Sequence, residues 1–186
     1  METVYIPFDS QRRLIELSRR TLENFVRGVE WQPDQTEDPY LLTSEYGAFV
    51  SLHRGGELRG CIGTCFPSRS LAETIIEMTG AAASRDYRVP PIRQSEVSEI
   101  QISISILSPL ELVHDPLSLR VGEHGLHIAC GDKRGVLLPQ VATEHGWDIR
   151  TFLDQTCLKA GLPEDAWNWP ETKISSFTAL VIEEDR

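Results

Sequence analysis

Basic runs are missing from this chain. No stretch of lysine and arginine is longer than a pair, and the formal net charge of the 186 residues is −10. That balance argues against nonspecific nucleic-acid or anionic-membrane binding, which needs a basic footprint. Long apolar runs are missing too, since nothing approaches the roughly 18 to 20 residues of a membrane span. Residues 1–13 lack a basic start followed by an apolar run, so no secretory leader is expected and the chain reads as cytoplasmic. Phosphate-loop and dinucleotide patterns (G-x-x-x-x-G-K-[ST], G-x-G-x-x-G) are absent, as is a C-x₃-C-x₂-C cluster-binding run.

Cysteine is scarce, with four residues at positions 61, 65, 130 and 157. On one strand, Cys61 and Cys65 would have Cα atoms about 13 Å apart at roughly 3.3 Å per residue, whereas a disulfide needs less than about 7 Å. Reduced thiols are expected. The Cys61–Cys65 spacing has no second pair at zinc-site distance. Glu123, His124 and His127 sit on a turn whose spacing demands no metal, so neither metal nor cofactor is expected. What is present is ordinary for a globular chain: 40% apolar and 25% charged residues, with length enough for a core.

Taken in order, Leu14, Leu17, Leu22, Phe25, Val26 and Val29 have helical spacing over about residues 10–29, with Asp9 or Ser10 as N-cap. Residues 31–39 read as a loop. Gly47 to His53 and Glu57 to Thr64 form a hairpin with Arg54-Gly55-Gly56 at its tip. Ser70-Leu71-Ala72-Glu73 is a capping box opening a helix to about Arg85. Ile100, Ile102, Ile104 and Ile106 alternate with polar residues and predict a strand. The same order then recurs at an offset of roughly 78 residues, longer than common solenoid periods. Leu126 to Cys130 and Val136 to Leu138 make a second hairpin, Asp148 caps a helix ended by Gly161, and Lys173 to Glu183 is a final strand.

The chemistry concentrates in Leu58 to Thr64. Pairing His53 with Glu57 puts Ala48, Val50, Leu52, Leu58 and Ile62 on a buried face, with Phe49, Ser51, Arg59 and Cys61 on the other. Cys61 is then a candidate nucleophile beside Arg59, a cation that favours the thiolate. Gly60 and Gly63 leave room for a substrate to approach the backbone. The alternative is a small buried thiol in a tight hairpin. In that register His53 lies about 13 Å from Cys61, too far to serve as its base. Arg85, Asp86 and Arg88 follow a helix C-terminus. They serve either as a cap or as an anion-binding corner in which Asp86 acts as base or orients the arginines. Cys157 reads as a core thiol, and Trp167 and Trp169 as cover for the core edge.

Leu58 to Gly63 (LRGCIG) resembles the signature of the AMME chromosomal-region (AMMECR) domain family, whose bacterial members are called AmmeMemoRadiSam system protein A. The resemblance continues in Arg85 to Arg88 with Pro90-Pro91, in Ser103 to Ser108, in Leu138 to Val141, and in Cys157 to Leu162. It implies an α+β fold: one domain over residues 1–186, with related hairpin-helix-strand units at about 40–108 and 117–183. These would form one barrel-like, mostly antiparallel sheet packed by helices.

The resemblance also implies Memo-like and radical-SAM proteins as partners in a modification pathway, any iron–sulfur cluster belonging to the partner. Three functions follow as expectations. The first is a thiol-dependent enzyme using Cys61 and Asp86, with Arg59, Gly60, Gly63, Arg85 and Arg88 binding a small-molecule or protein substrate. The second is a non-catalytic adaptor. The third is RNA binding, which the net charge opposes.

Overall fold

The computed structural model describes residues 3–185. Its contacts fall into two compact units, residues 5–107 with 180–185, and residues 108–179 with 3–4. In the first unit the elements are α1 (Phe8–Arg27), a short α2 (Pro39–Leu42), β1 (Gly47–Arg54), β2 (Glu57–Thr64), α3 (Leu71–Ser84) and β3 (Ile100–Leu107). The second contains β4 (Glu111–Leu112), β5 (Gly125–Cys130), β6 (Lys133–Leu137), α4 (Pro139–Glu144), α5 (Ile149–Lys159) and β7 (Lys173–Phe177). The last strand, β8 (Ala179–Glu183), returns the chain to the first sheet, whose order is β2-β1-β3-β8.

The expected single barrel-like sheet does not form. Among the described residues there are two open four-stranded sheets, the second ordered β4-β7-β5-β6, and neither closes on itself. The expected single final strand over Lys173 to Glu183 is divided between the two sheets. Phe177, Ala179 and Val181 keep one alternating pattern, yet the chain leaves β7 at Thr178 and joins a different sheet as β8. At the break Thr178 exchanges bonds with Ser108 instead of with a strand. Its N–H donates to Ser108 Oγ at 3.0 Å and its carbonyl accepts the Ser108 N–H at 3.0 Å.

In the first unit β1 pairs with β3 without a register shift, Leu52 opposite Ile102, Val50 opposite Ile104 and Ala48 opposite Ile106. All six are buried, and α3 packs on β1 and β2 while α1 packs on α3 and β3. Each such aliphatic side chain contributes about 1.5–3 kcal/mol when fully buried. The capping box at Ser70 forms as expected: Ser70 Oγ accepts the Glu73 N–H at 3.3 Å and Glu73 Oε2 accepts the Ser70 N–H at 3.0 Å. The N-cap of the first helix is Pro7, not Asp9 or Ser10. The Ser10 hydroxyl instead donates to Asp38 at 2.8 Å, tying the loop before α2 to α1. Ser18 and Thr79 meet inside the α1–α3 interface at 2.8 Å. Because Thr79 already donates to the Ile75 carbonyl, Ser18 is the donor.

The second unit repeats the theme: α5 covers β5 and β6 over a core of Leu126, Ile128, Phe152, Leu153 and Ile174. Asp148 caps α5 by accepting the Thr151 N–H at 2.8 Å, and Gly161, at φ 73°, ends the helix in the left-handed region.

Candidate functional site

The LRGCIG stretch is β2, the outermost strand of the first sheet. Its register differs from the expected one. Glu57 faces Arg54 and Leu58 faces His53, and then the register shifts so that Gly60 faces Leu52 and Cys61 faces Ser51. Arg59 falls at this shift with no cross-strand partner. Irregularities of this kind re-aim side chains beside functional sites. Leu58 consequently is not buried but 38% exposed, while Gly60 turns inward.

The glycines are explained by packing within the chain. A Cβ on Gly60 would lie 2.0 Å from the carbonyl oxygen of Ala82, so the end of α3 rests directly on the strand. A Cβ on Gly63 would meet the Phe49 ring at 2.2 Å and the Ala48 carbonyl at 2.5 Å. The space expected to admit a substrate at both positions is filled by Ala82, Ala48 and Phe49.

The expected Arg59–Cys61 partnership does not form. Arg59 turns to Glu96, its Nε and Nη2 donating to Oε1 at 3.2 and 3.0 Å. The cation near the thiol is Arg88, reached through Asp86. Asp86 Oδ2 accepts the Cys61 N–H at 2.9 Å and Arg88 Nη2 at 2.7 Å, while Oδ1 accepts Arg88 Nε at 2.9 Å and the Arg88 N–H at 3.1 Å. Arg88 Nη2 also donates to the Cys61 carbonyl at 3.3 Å.

The N–H and C=O of Cys61 therefore both point away from β1, where a further strand would lie. The Asp86–Arg88 pair supplies the acceptor and donor that such a strand would offer, and so closes the sheet edge at one position. Asp86 is 4% exposed. Hydrogen bonds from the Arg88 guanidinium are the main cause holding its carboxyl well below the usual carboxylate range. Burial works against this, and the N–H groups of Cys61 and Arg88 add to it. With four donors on its two oxygens it is a clamp and a poor proton acceptor, which removes the ground for an Asp86 base. Arg85 is the C-cap of α3 and lines a separate cleft of about 470 Å³ with Phe25 and Trp31.

The sulfur itself sits on the polar face of the sheet. Cys61 is half-buried, and Ser51 Oγ donates to its Sγ at 3.1 Å. Ser103 follows in the same row on β3, because Ser51 pairs with both Cys61 and Ser103. His53, two residues along β1 from Ser51, shares this face and is a diagonal neighbour of Cys61, a relation that spans about 7–8 Å. The distance of about 13 Å expected from the other register is thus corrected. Ser103 carried a signal in the Ile/Ser alternation of β3, but the roles of Ser51 and His53 needed the true register.

Cys130 is half-buried like Cys61, and the two remaining thiols differ. Burial pushes Cys65 up to about 12 and Cys157 up to about 11. Glu123 and His124 are engaged locally, Glu123 with Arg120 at 2.8 Å and His124 Nδ1 with the Arg120 N–H at 2.9 Å. His127 is buried in β5, and burial, then Arg134, lowers its pKa. Among the described residues no three His, Cys, Asp or Glu side chains are grouped to hold a metal.

The AMMECR1 family profile matches residues 15–182. The chain belongs to the AMMECR1 family. It is 39% identical over 183 residues to a protein of Methanothermobacter thermautotrophicus, covering 95% of each chain. With protein TK0174 of Thermococcus kodakarensis it shares 41% identity over 182 residues, 92% of this chain and 89% of that protein. The crystal structure of uncharacterized protein PH0010 from Pyrococcus horikoshii superposes with a TM-score of 0.91 at 37% identity, covering 97% of this chain and 94% of that one. An AMMECR1 domain therefore carries the Cys61–Ser51–Asp86–Arg88 arrangement described above. No helix among its described residues is long and apolar enough to cross a membrane.

Proposed function

We propose that this AMMECR1-family protein is a cytoplasmic, thiol-dependent group-transfer enzyme working from the polar face of its first sheet. One observation carries the reading: the Cys61 thiol is half-exposed, takes a hydrogen bond from Ser51, and shares its face with His53. Cys61 is the nucleophile, since the thiolate is the reactive form. The Ser51 hydroxyl holds the sulfur on the polar face by donating to it at 3.1 Å. His53, through a water or the substrate, takes the proton. Asp86 and Arg88 are positioning residues that fix the Cys61 backbone. The free state of the four cysteines supports a reducing compartment. The family resemblance supports a place in a modification pathway shared with Memo-like and radical-SAM proteins.

The test is alkylation of the native chain, read by intact mass and peptide mapping. Cys61 is expected to react first, with Cys65 and Cys157 protected, and His53→Ala to slow the reaction near neutral pH. Modification of Cys61 only after unfolding would end the enzyme reading. A second reading, a non-catalytic docking subunit, is favoured by Tyr87, which is 96% exposed between Asp86 and Arg88. Tyrosine and arginine are enriched at interface hot spots. Under that reading, co-purification with a Memo-like protein survives Cys61→Ser and fails with Tyr87→Ala.

A further inference from the structure

A separate cleft opens beside the tip of the first hairpin. It has a volume of about 260 Å³, below the usual range for drug-sized ligands, and is lined by Arg54, Arg59, Arg93 and Ser95. Pro90 and Pro91 form an apolar wall, and Glu96 is the acidic residue among its lining. With Glu99 paired to Arg54, three guanidinium groups against two carboxylates leave this corner positive by one in a chain whose formal net charge is −10.

Two of the three cations are held before any ligand arrives. Arg59 grips Glu96 at 3.0 and 3.2 Å and donates from Nη1 to the Pro90 carbonyl at 3.3 Å. Arg54 pairs with Glu99 through two bonds of 2.9 and 3.1 Å and reaches Glu96 at 3.3 Å. Glu96 is itself pinned, its Oε2 accepting the Arg93 N–H at 3.0 Å with only 13% of its side chain exposed. Fixed rotamers lower the ordering cost of binding. Each guanidinium has five N–H donors, so both held arginines keep donors for a further acceptor.

We infer that this cleft binds a phosphoryl group. A small dianion with several acceptor oxygens suits converging arginines and a serine hydroxyl better than a planar carboxylate, which one arginine satisfies. The prolines would face whatever the phosphoryl group is attached to. The site does not use Cys61 and stands apart from the thiol reading.

The full chain, labelled with ¹⁵N, is titrated with inorganic phosphate and, in a second arm, with glycerol 3-phosphate, both at constant ionic strength in chloride. Saturable shifts are expected at Arg54, Arg59, Arg93 and Ser95. Tighter binding of the ester assigns a phosphorylated small molecule, and equal binding assigns free phosphate. Arg93→Gln weakens either by about tenfold, as expected for one charge-assisted hydrogen bond, and Ser95→Ala by a smaller factor. Neither variant touches the Arg59–Glu96 grip, so a folding failure in one leaves the other to decide. Cys61→Ser leaves the affinity unchanged. A response that chloride reproduces, shifts scattered over the acidic surface, or full affinity in both variants overturns the proposal.

Discussion

The two hairpins of this chain use the same packing devices for different ends. In the first, Gly60 of β2 lies under the Ala82 carbonyl at the end of α3. In the second, Gly135 of β6 lies under α5, where a Cβ would meet the Thr156 carbonyl at 2.6 Å and the Ala160 nitrogen at 2.7 Å. An aromatic ring covers a glycine in each: Phe49 over Gly63 and Phe177 over Gly125. The hairpins differ at the strand edge and on the face away from the helix. In the second, His127 is 6% exposed, and Cys130, half-buried like Cys61, packs against the core of its own unit. In the first, Cys61 stays half-exposed beside Ser51, and a carboxylate–arginine pair occupies the strand edge. The edge device distinguishes the two, because the framework beneath it is shared.

The largest effect expected of this contrast is on the rings. Phe177 is fully buried, so Phe177→Ala should cost about 3–5 kcal/mol. Phe49 is only half-buried, and Phe49→Ala should cost clearly less. Urea denaturation of both variants measures the gap, and equal losses would mean that the two glycine-covering rings are equivalent after all. Next in size is Gly60→Ala. The clash partner is backbone at 2.0 Å, with no flexible side chain to move, so about 3 kcal/mol of destabilisation is expected. Gly135→Ala, with its closest contact at 2.6 Å, should follow with a smaller loss in the same experiment.

Asp86→Asn comes third, at about 2 kcal/mol near neutral pH. The figure is kept low because the Arg88 side chain is 39% exposed, where solvent screens the pair. The pH dependence has a definite sign. The folded-state pKa of Asp86 is depressed, so its stabilisation is present above the unfolded value of about 3.9 and fades as pH falls below it. Denaturation midpoints of the two proteins should therefore converge on the acid side. A constant gap from neutral to strongly acidic pH would show that charge at Asp86 is not what holds the edge. Nothing in the second hairpin should give an acid limb of this origin.

Much of this framework was legible in the residues. The Ser70–Glu73 box, the Ile/Ser alternation of β3 and the Gly55-Gly56 tip of the first hairpin each state a local rule that the structure obeys. The register of the first hairpin was not legible. Alternation reads which face a side chain takes, and Gly60 has no side chain to read. Counting through Arg59 at the irregularity then misplaced Ser51 and His53 relative to Cys61. The clamp was hidden for another reason: Asp86 meets the Cys61 N–H from 25 positions further along the sequence, and only α3 brings them together. The single final strand failed because Thr178 interrupts pairing without interrupting the apolar pattern. In each case the missing information is tertiary.

The smallest effect tests the counterpart of the clamp. In the second hairpin Lys133 Nζ donates to the Gly161 carbonyl at 2.7 Å, tying β6 to the end of α5 much as Asp86 and Arg88 tie β2 to the segment after α3. This tie is one bond from an exposed, flexible ammonium group to a carbonyl just past a helix C-terminus. Its worth is that of a surface cation near a helix dipole, about 0.5 kcal/mol, and salt should reduce it. Lys133→Ala should therefore shift the urea midpoint slightly, leave Cys61 alkylation unchanged, and lose its effect at high salt. Asp86→Asn should instead free the Cys61 backbone and alter the alkylation rate, whatever the salt. If Lys133→Ala matched Asp86→Asn in stability and also changed thiol reactivity, the first edge would be no more specialised than the second, and the case for placing function there would fall.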